Sequence, residues 1–305
     1  MQRLLSSPSL TEIAATLLCR VTAIVPSRPR PRAGRFAREI PHVREGYVWL
    51  VGAGPGDPEL LTVKALRALK GADVILHDQL VSPEILALAP AHVERIDVGK
   101  KGYGRACRQS DINTLMVALA RAGRHVARLK AGDPLMFGRL EEETHALKSS
   151  GIGYEVIPGI SAAQGAGAVL GTALTRRRGA RRFQAITGHA VDGRLPDDFD
   201  WAGLSDPKAV TAVYMPKATI GALCGELQRR GTPAHHPAVA VFNATRVDQR
   251  VIAAPIMTLP ERIAATDCDG PCIILLGVDA PVPLDGYTDG EAADVPAEEI
   301  ARASA

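Results

Sequence analysis

The chain has 305 residues, 46% of them hydrophobic but only 4% aromatic, with a formal net charge of +3 and five cysteines. That length suits one large domain or two ordinary ones, with a core built mostly of Ala, Val, Leu and Ile. The mild charge argues against a dedicated nucleic-acid binder, and no apolar run reaches the ~18 residues of a membrane span. Cys19, Cys107, Cys224, Cys268 and Cys272 are odd in number and show no framework spacing. They predict reduced thiols in a cytoplasmic protein, and the lone Cys268–Cys272 pair reads as structural, with no metal site.

Residues 1–45 read as a flexible extension. They are arginine-rich, with Glu12, Glu39 and Glu45 as their acids, and "PSRPRPRAGR" (26–35) has the composition of a disordered linker. A leader similar to a transit peptide is the second reading. Val48 to Val51 then forms a short buried strand. "LLTVKALRALK" (60–70) has apolar residues at helical spacing and is stopped by Gly71. "ADVILHD" (72–78) is a strand, and "VSPEILALA" (81–89) a helix capped by Ser82 with Pro83 in its first turn. A strand (93–99), a helix (110–123), a strand (125–134), a helix (141–151) and a strand (154–159) follow. "SAAQGAGAVLG" (161–171) is a helix of small residues that permits close packing. A second βα series begins near residue 182 with "RFQAITGH", "AVTAVYM" and "IGALCGELQRRG". The acidic, Pro-containing tail from 281 reads as disordered. Alternating strands and helices predict two α/β domains, 46–171 and 172–280, the first with an open parallel sheet, and a cleft between them.

Ligands of open parallel sheets bind beyond the carboxyl ends of the strands. Loops 52–58, 77–82, 99–104 and 131–139 leave those ends in the first domain. The first, Gly52-Ala53-Gly54-Pro55-Gly56-Asp57-Pro58, is spaced GxGxG rather than the GxGxxG of a dinucleotide loop. Pro55 also removes an N–H where a pyrophosphate needs a donor. A nicotinamide-dependent oxidoreductase and a plain tight turn both stay open on this pattern. Asp78 and Lys100, each at a strand end, are an acid/base pair or an ordinary ion pair. Asp133 is a hydroxyl acceptor or the cap of a turn. Arg176, Arg177, Arg178, Arg181 and Arg182 form a solvated loop or attract an anion. There is no GxSxG, HExxH or P-loop motif. That pattern suits transfer of an already activated group, which needs positioning more than side-chain chemistry.

Taken together, "VGAGPGDPELLTVKALRALKGADVILHDQLVSPEILAL", "VGKK", "RLKAGDPLMFGR", "PGISAA", "TGH" and "VYM", in this order and spacing, resemble the tetrapyrrole methylase family over residues 47–279. The resemblance implies two α/β domains with S-adenosyl-L-methionine held between them, usually in a homodimer. It also implies that the opening loop is no dinucleotide loop but lines the active cleft. By position, Asp78 corresponds to the family's proton acceptor and Lys100 to its proton donor. Pro55, Ala131, Gly132, Asp133, Met136, Ser161, Ala162, Met215 and Ala244 correspond to cofactor contacts. The implied reaction places two methyl groups, at C2 and C7, on uroporphyrinogen III to give precorrin-2, which feeds sirohaem and cobalamin synthesis. The eight carboxylates of that substrate make Arg128, Arg139, Lys101 and Arg176 expected anion contacts; neither nucleic acid nor membrane is an expected partner.

The chain departs from the family's pattern at several loop positions. Ala131 stands for a usual Gly, a change compatible only with a negative φ there. Leu140 also replaces a Gly, Gln79 an Arg, Arg176 a His and Ala244 a Gly. These changes bear on cofactor affinity more than on fold.

Overall fold

The computed structural model describes residues 45–99, 107–190 and 192–278. The extension up to residue 44, the tail, Lys100 and Lys101 lie outside these residues. The chain forms two five-stranded sheets with helices packed on them. No described helix is long and apolar enough to cross a membrane.

The first sheet contains β1 (Tyr47–Gly52), β2 (Val74–His77), β3 (Glu94–Asp97), β4 (His125–Lys130) and β5 (Gly153–Ile157). All are parallel, in the order β3-β2-β4-β1-β5. The connecting helices are α1 (Val63–Gly71), α2 (Pro83–Ala87), α3 (Gln109–Arg121) and α4 (Leu140–Ser149). Strand periodicity decides which side chain meets which layer. Val51, Ile75 and Leu129 pack with Ala65 and Leu69 of α1 and Ile85 of α2. Val48, Leu50, Leu76 and Val126 pack on the other face with Met116 of α3 and Leu147 of α4. Arg128 and Lys130 share the parity of Val126, so two basic side chains enter the α3/α4 side of a buried sheet. Helix α1 starts at Val63 rather than at Leu60, because the Thr62 hydroxyl accepts from the Ala65 N–H (3.1 Å) and caps it there.

Helix α5 (Ala162–Val169) leaves the first sheet and lies against the second, with Ala163 and Ala166 among Val210, Ala212, Val239 and Ile273. The second sheet holds β6 (Arg182–Thr187), β7 (Ala209–Tyr214), β8 (Pro237–Phe242), β9 (Arg250–Pro255) and β10 (Cys272–Leu276), in the order β6-β7-β10-β8-β9. Its helices are α6 (Trp201–Leu204), α7 (Ile220–Arg229) and α8 (Leu259–Ala264). Here the expectation of a continued βα series is only partly met. β6 and β7 are parallel, but β10 runs antiparallel to β7 and β8, and β9 antiparallel to β8. The loop 243–249 is too short for a crossover, so β9 must return beside β8 as a hairpin.

Candidate active site

Three loops at the carboxyl ends of the first sheet are drawn together by backbone alone. Gly54 and Gly132 exchange reciprocal hydrogen bonds (3.0 and 2.8 Å). A Cβ on Gly159 would lie 2.4 Å from the Gly132 carbonyl oxygen, so only glycine allows this crossing. Gly52 and Gly54 of the opening GxGxG turn therefore serve to pack it against the 131–139 loop. Pro55 sits beside Gly165 of α5, where an added Cβ would come within 2.8 Å of its ring.

These loops, with the end of β7 and the segment after it, Arg246 and the start of β10, enclose a cavity of about 570 Å³, a size suited to a cofactor or small ligand. Pro55, Asp78, Arg128, Ala131, Gly132, Asp133, Met136, Arg139, Ser161, Ala162 and Met215 all line it. Eleven positions picked from sequence thus converge on one space. Ala244 is buried near the cavity without lining it, and Arg176 lies away from it and donates to the Gly277 carbonyl (3.2 Å). Arg139 holds Glu142 through two N–H···O bonds (2.7 and 2.8 Å) and is exposed at the rim. The Asp133 carboxylate accepts from the Leu135 N–H (3.1 Å), and Ser161 caps α5 (3.4 Å to the Gln164 N–H). Each therefore has a structural task alongside its place on the cavity wall.

Beneath the cavity lies a charge network. Arg128, 2% exposed, donates to Asp78 Oδ1 (2.6 Å) and to Glu143 Oε1 (2.9 Å). Lys130 donates to the same Glu143 oxygen (2.8 Å), as does the Gln109 amide (3.1 Å). Glu143 is fully buried, and its Oε2 has no hydrogen-bond partner among the described residues. Burial works against the charge of Arg128, but Asp78 and Glu143 outweigh it and raise its pKa. Burial, and then the Arg128 charge, push the Lys130 ammonium below the usual lysine range, with Glu143 opposing. Arg128 is thus committed to two carboxylates, which gives it a positioning task in addition to the anion contact expected of it. Cys272 also lines the cavity, but burial pushes its thiol up to about 12, which disqualifies it as a nucleophile near neutral pH.

Strain gathers at the same place. The non-glycine residues with left-handed backbone, among the described residues, are Phe137, Arg139, Met215, Asn243 and Thr245. The first three line the cavity. Phe137 meets Tyr214 across the cleft, with ring centroids 5.0 Å apart. Such conformations persist where the surroundings over-determine them, typically at ligand sites.

The doubt attached to Ala131 is resolved by its backbone. Gly132 carries the positive φ (+68°), and Ala131 is not among the residues with one. Gly132→Ala is expected to lower stability by about 1–2 kcal/mol. Ala131→Gly should leave the affinity for the cofactor that the family resemblance implies, titrated as S-adenosylhomocysteine, within about twofold. Calorimetric titration and thermal melts of both variants check this, and markedly tighter binding by Ala131→Gly would show that Ala131 is the strained residue.

Sequence reasoning missed Glu143, Lys130 and Gln109 of the charge network, and Arg246 and Lys217, which also line the cavity. Glu143 looks like one of three acids in a first helical turn. The only signal was a basic pair, Arg128 and Lys130, at alternate positions of an otherwise apolar strand.

The family model "Tetrapyrrole (Corrin/Porphyrin) Methylases" matches residues 47–260. A uroporphyrinogen-III C-methyltransferase from Paracoccus denitrificans is 44% identical over 233 residues, covering 76% of this chain and 80% of that protein. A siroheme synthase from Methylococcus capsulatus is 45% identical over 76% of this chain but only 49% of that protein. The chain thus spans about half the length of the siroheme synthases it matches. The crystal structure of the Thermus thermophilus uroporphyrin-III C-methyl transferase complexed with S-adenyl homocysteine superposes with a TM-score of 0.64 at 36% identity, covering 76% of this chain and 92% of that one. With its two sheets, its cleft and these matches, the chain belongs to the tetrapyrrole methylase family.

Proposed function

We propose that the chain is an S-adenosyl-L-methionine-dependent C-methyltransferase that adds two methyl groups, at C2 and C7, to uroporphyrinogen III, giving precorrin-2. The observation that carries the reading is Asp78: a carboxylate on the cavity wall, anchored at 2.6 Å by a buried arginine, opposite the Gly132–Asp133 loop. The similarity to the Paracoccus and Thermus enzymes supports the same reaction.

The cavity suits S-adenosyl-L-methionine. Pro55, Met136 and Met215 offer apolar surface, Gly132 leaves its backbone open to close approach, and Asp133 brings a carboxylate. When bound, this cofactor supplies an activated methyl group on a sulfonium. The chain's own residues then have two tasks. The first is positioning: the loops fused at Gly54, Gly132 and Gly159 hold the tetrapyrrole's pyrrole carbon in line, and the walls exclude water. The second is proton removal from the methylated macrocycle, which falls to Asp78, its orientation fixed by Arg128. Lys100 fits the matching role of proton donor. Arg139 at the rim fits a contact for substrate carboxylates, a role that Lys101 matches by sequence position. Five basic side chains and two carboxylates line the cavity among the described residues, a balance that favours a polyanionic substrate.

The enzyme works as a cytoplasmic homodimer with 46–171 and 172–280 as its domains, a reading supported by the family resemblance. Its stoichiometry is the test. Two S-adenosylhomocysteines should form per uroporphyrinogen III consumed; one per tetrapyrrole would assign the chain to a single-methyl step instead.

A further inference from the structure

The loop 243–249 belongs to the second sheet but reaches the loops that carry the chemistry of the first. The Thr245 hydroxyl accepts from the Asp57 N–H (3.1 Å), and Arg246 Nη2 donates to the Leu80 carbonyl (2.5 Å). Leu80 lies inside the turn 78–81, closed by the hydrogen bond from the Val81 N–H to the Asp78 carbonyl (3.1 Å). The Arg246 side chain crosses over Gly56; a Cβ there would stand 2.4 Å from Arg246 Cγ, so the glycine clears its path. The reaching loop is itself fixed. Asn243 and Thr245 are left-handed (φ 48° and 67°). The Asn243 amide donates to Asp248 (2.8 Å) and to the Asp269 carbonyl (3.0 Å), and Gln249 accepts from the Thr245 N–H (2.8 Å). A strained, over-determined loop that makes two cross-cleft hydrogen bonds, at Asp57 and at Leu80, has the character of a built contact.

We propose that Arg246 is a positioning residue: it straps the turn that carries Asp78 to the second sheet and so fixes where the proton-accepting carboxylate stands. Asp78 is then held at its side chain by Arg128, at its N–H by the Leu129 carbonyl and through its turn by Arg246. The catalytic consequence rests on the methyltransferase reading, whereas the strap itself does not.

The test uses the full chain with Arg246→Met, which keeps the stem over Gly56 but removes the donor, and Arg246→Lys, which keeps both a stem and a donor. Amide hydrogen exchange in the 78–82 segment should speed up about tenfold in Arg246→Met, with β7 unchanged. In steady-state methylation kcat should fall about tenfold or more with KM for the tetrapyrrole held, and Arg246→Lys should restore much of it. Unchanged exchange at 78–82 would overturn the strap whatever the activity. A raised KM with intact kcat would also overturn it, making Arg246 a substrate contact. If the wild type transfers no methyl group while exchange still responds, the strap stands and the methyltransferase reading falls.

Discussion

Glu143→Ala is expected to lower stability by about 3–5 kcal/mol, the usual cost of breaking a buried ion pair from one side. The Glu143 carboxylate is fully buried and one of its oxygens accepts from Arg128, Lys130 and Gln109. Removing it leaves two basic groups side by side on one face of β4, with Asp78 as the one carboxylate still bonded to Arg128 among the described residues. Lys130, its pKa already lowered by burial, can shed its proton; Arg128 cannot. Glu143→Gln should cost less, since the amide oxygen can still accept. Urea unfolding followed by circular dichroism measures both. A Glu143→Ala midpoint equal to wild type would show that the network contributes nothing to the fold.

Asp78→Ala is expected to cut turnover by about 10²–10⁴-fold, the range of a general base. S-adenosylhomocysteine affinity should stay within about twofold, because Asp78 takes no part in the expected cofactor contacts. The carboxylate is part-exposed on the cavity wall, so its loss should disturb the fold much less than loss of Glu143. Single-turnover methylation and calorimetry separate the two effects. A rate near wild type would remove the proton-acceptor role, and lost cofactor binding would place Asp78 in the cofactor site.

The contrast between these residues shows what the sequence can and cannot reveal. The place of Asp78 was legible because it sits at the end of a strand in an alternating βα pattern, where parallel sheets present their ligands, whereas the role proposed for it came from the family resemblance. The same pattern brought Pro55, Gly132, Asp133 and Met136 to the cavity. Glu143 was not legible, since local pattern cannot tell a buried acid in a first helical turn from a solvated one. Its role depends on the register that sets Arg128 opposite Leu50 and Leu76 and turns it towards α4. Arg246 was hidden for a similar reason: it is far from Leu80 in sequence and meets it only after both sheets have formed. The second sheet was misread as βα units because periodicity does not encode strand direction. The short loop before Arg250 did, by forbidding a crossover.

The most direct measurement is the mass of the product formed anaerobically from uroporphyrinogen III and S-adenosyl-L-methionine. A gain of two methyl groups, formed through a singly methylated species at short times, is the predicted result. An unchanged tetrapyrrole mass, with S-adenosyl-L-methionine bound by the same preparation, would contradict the proposed substrate.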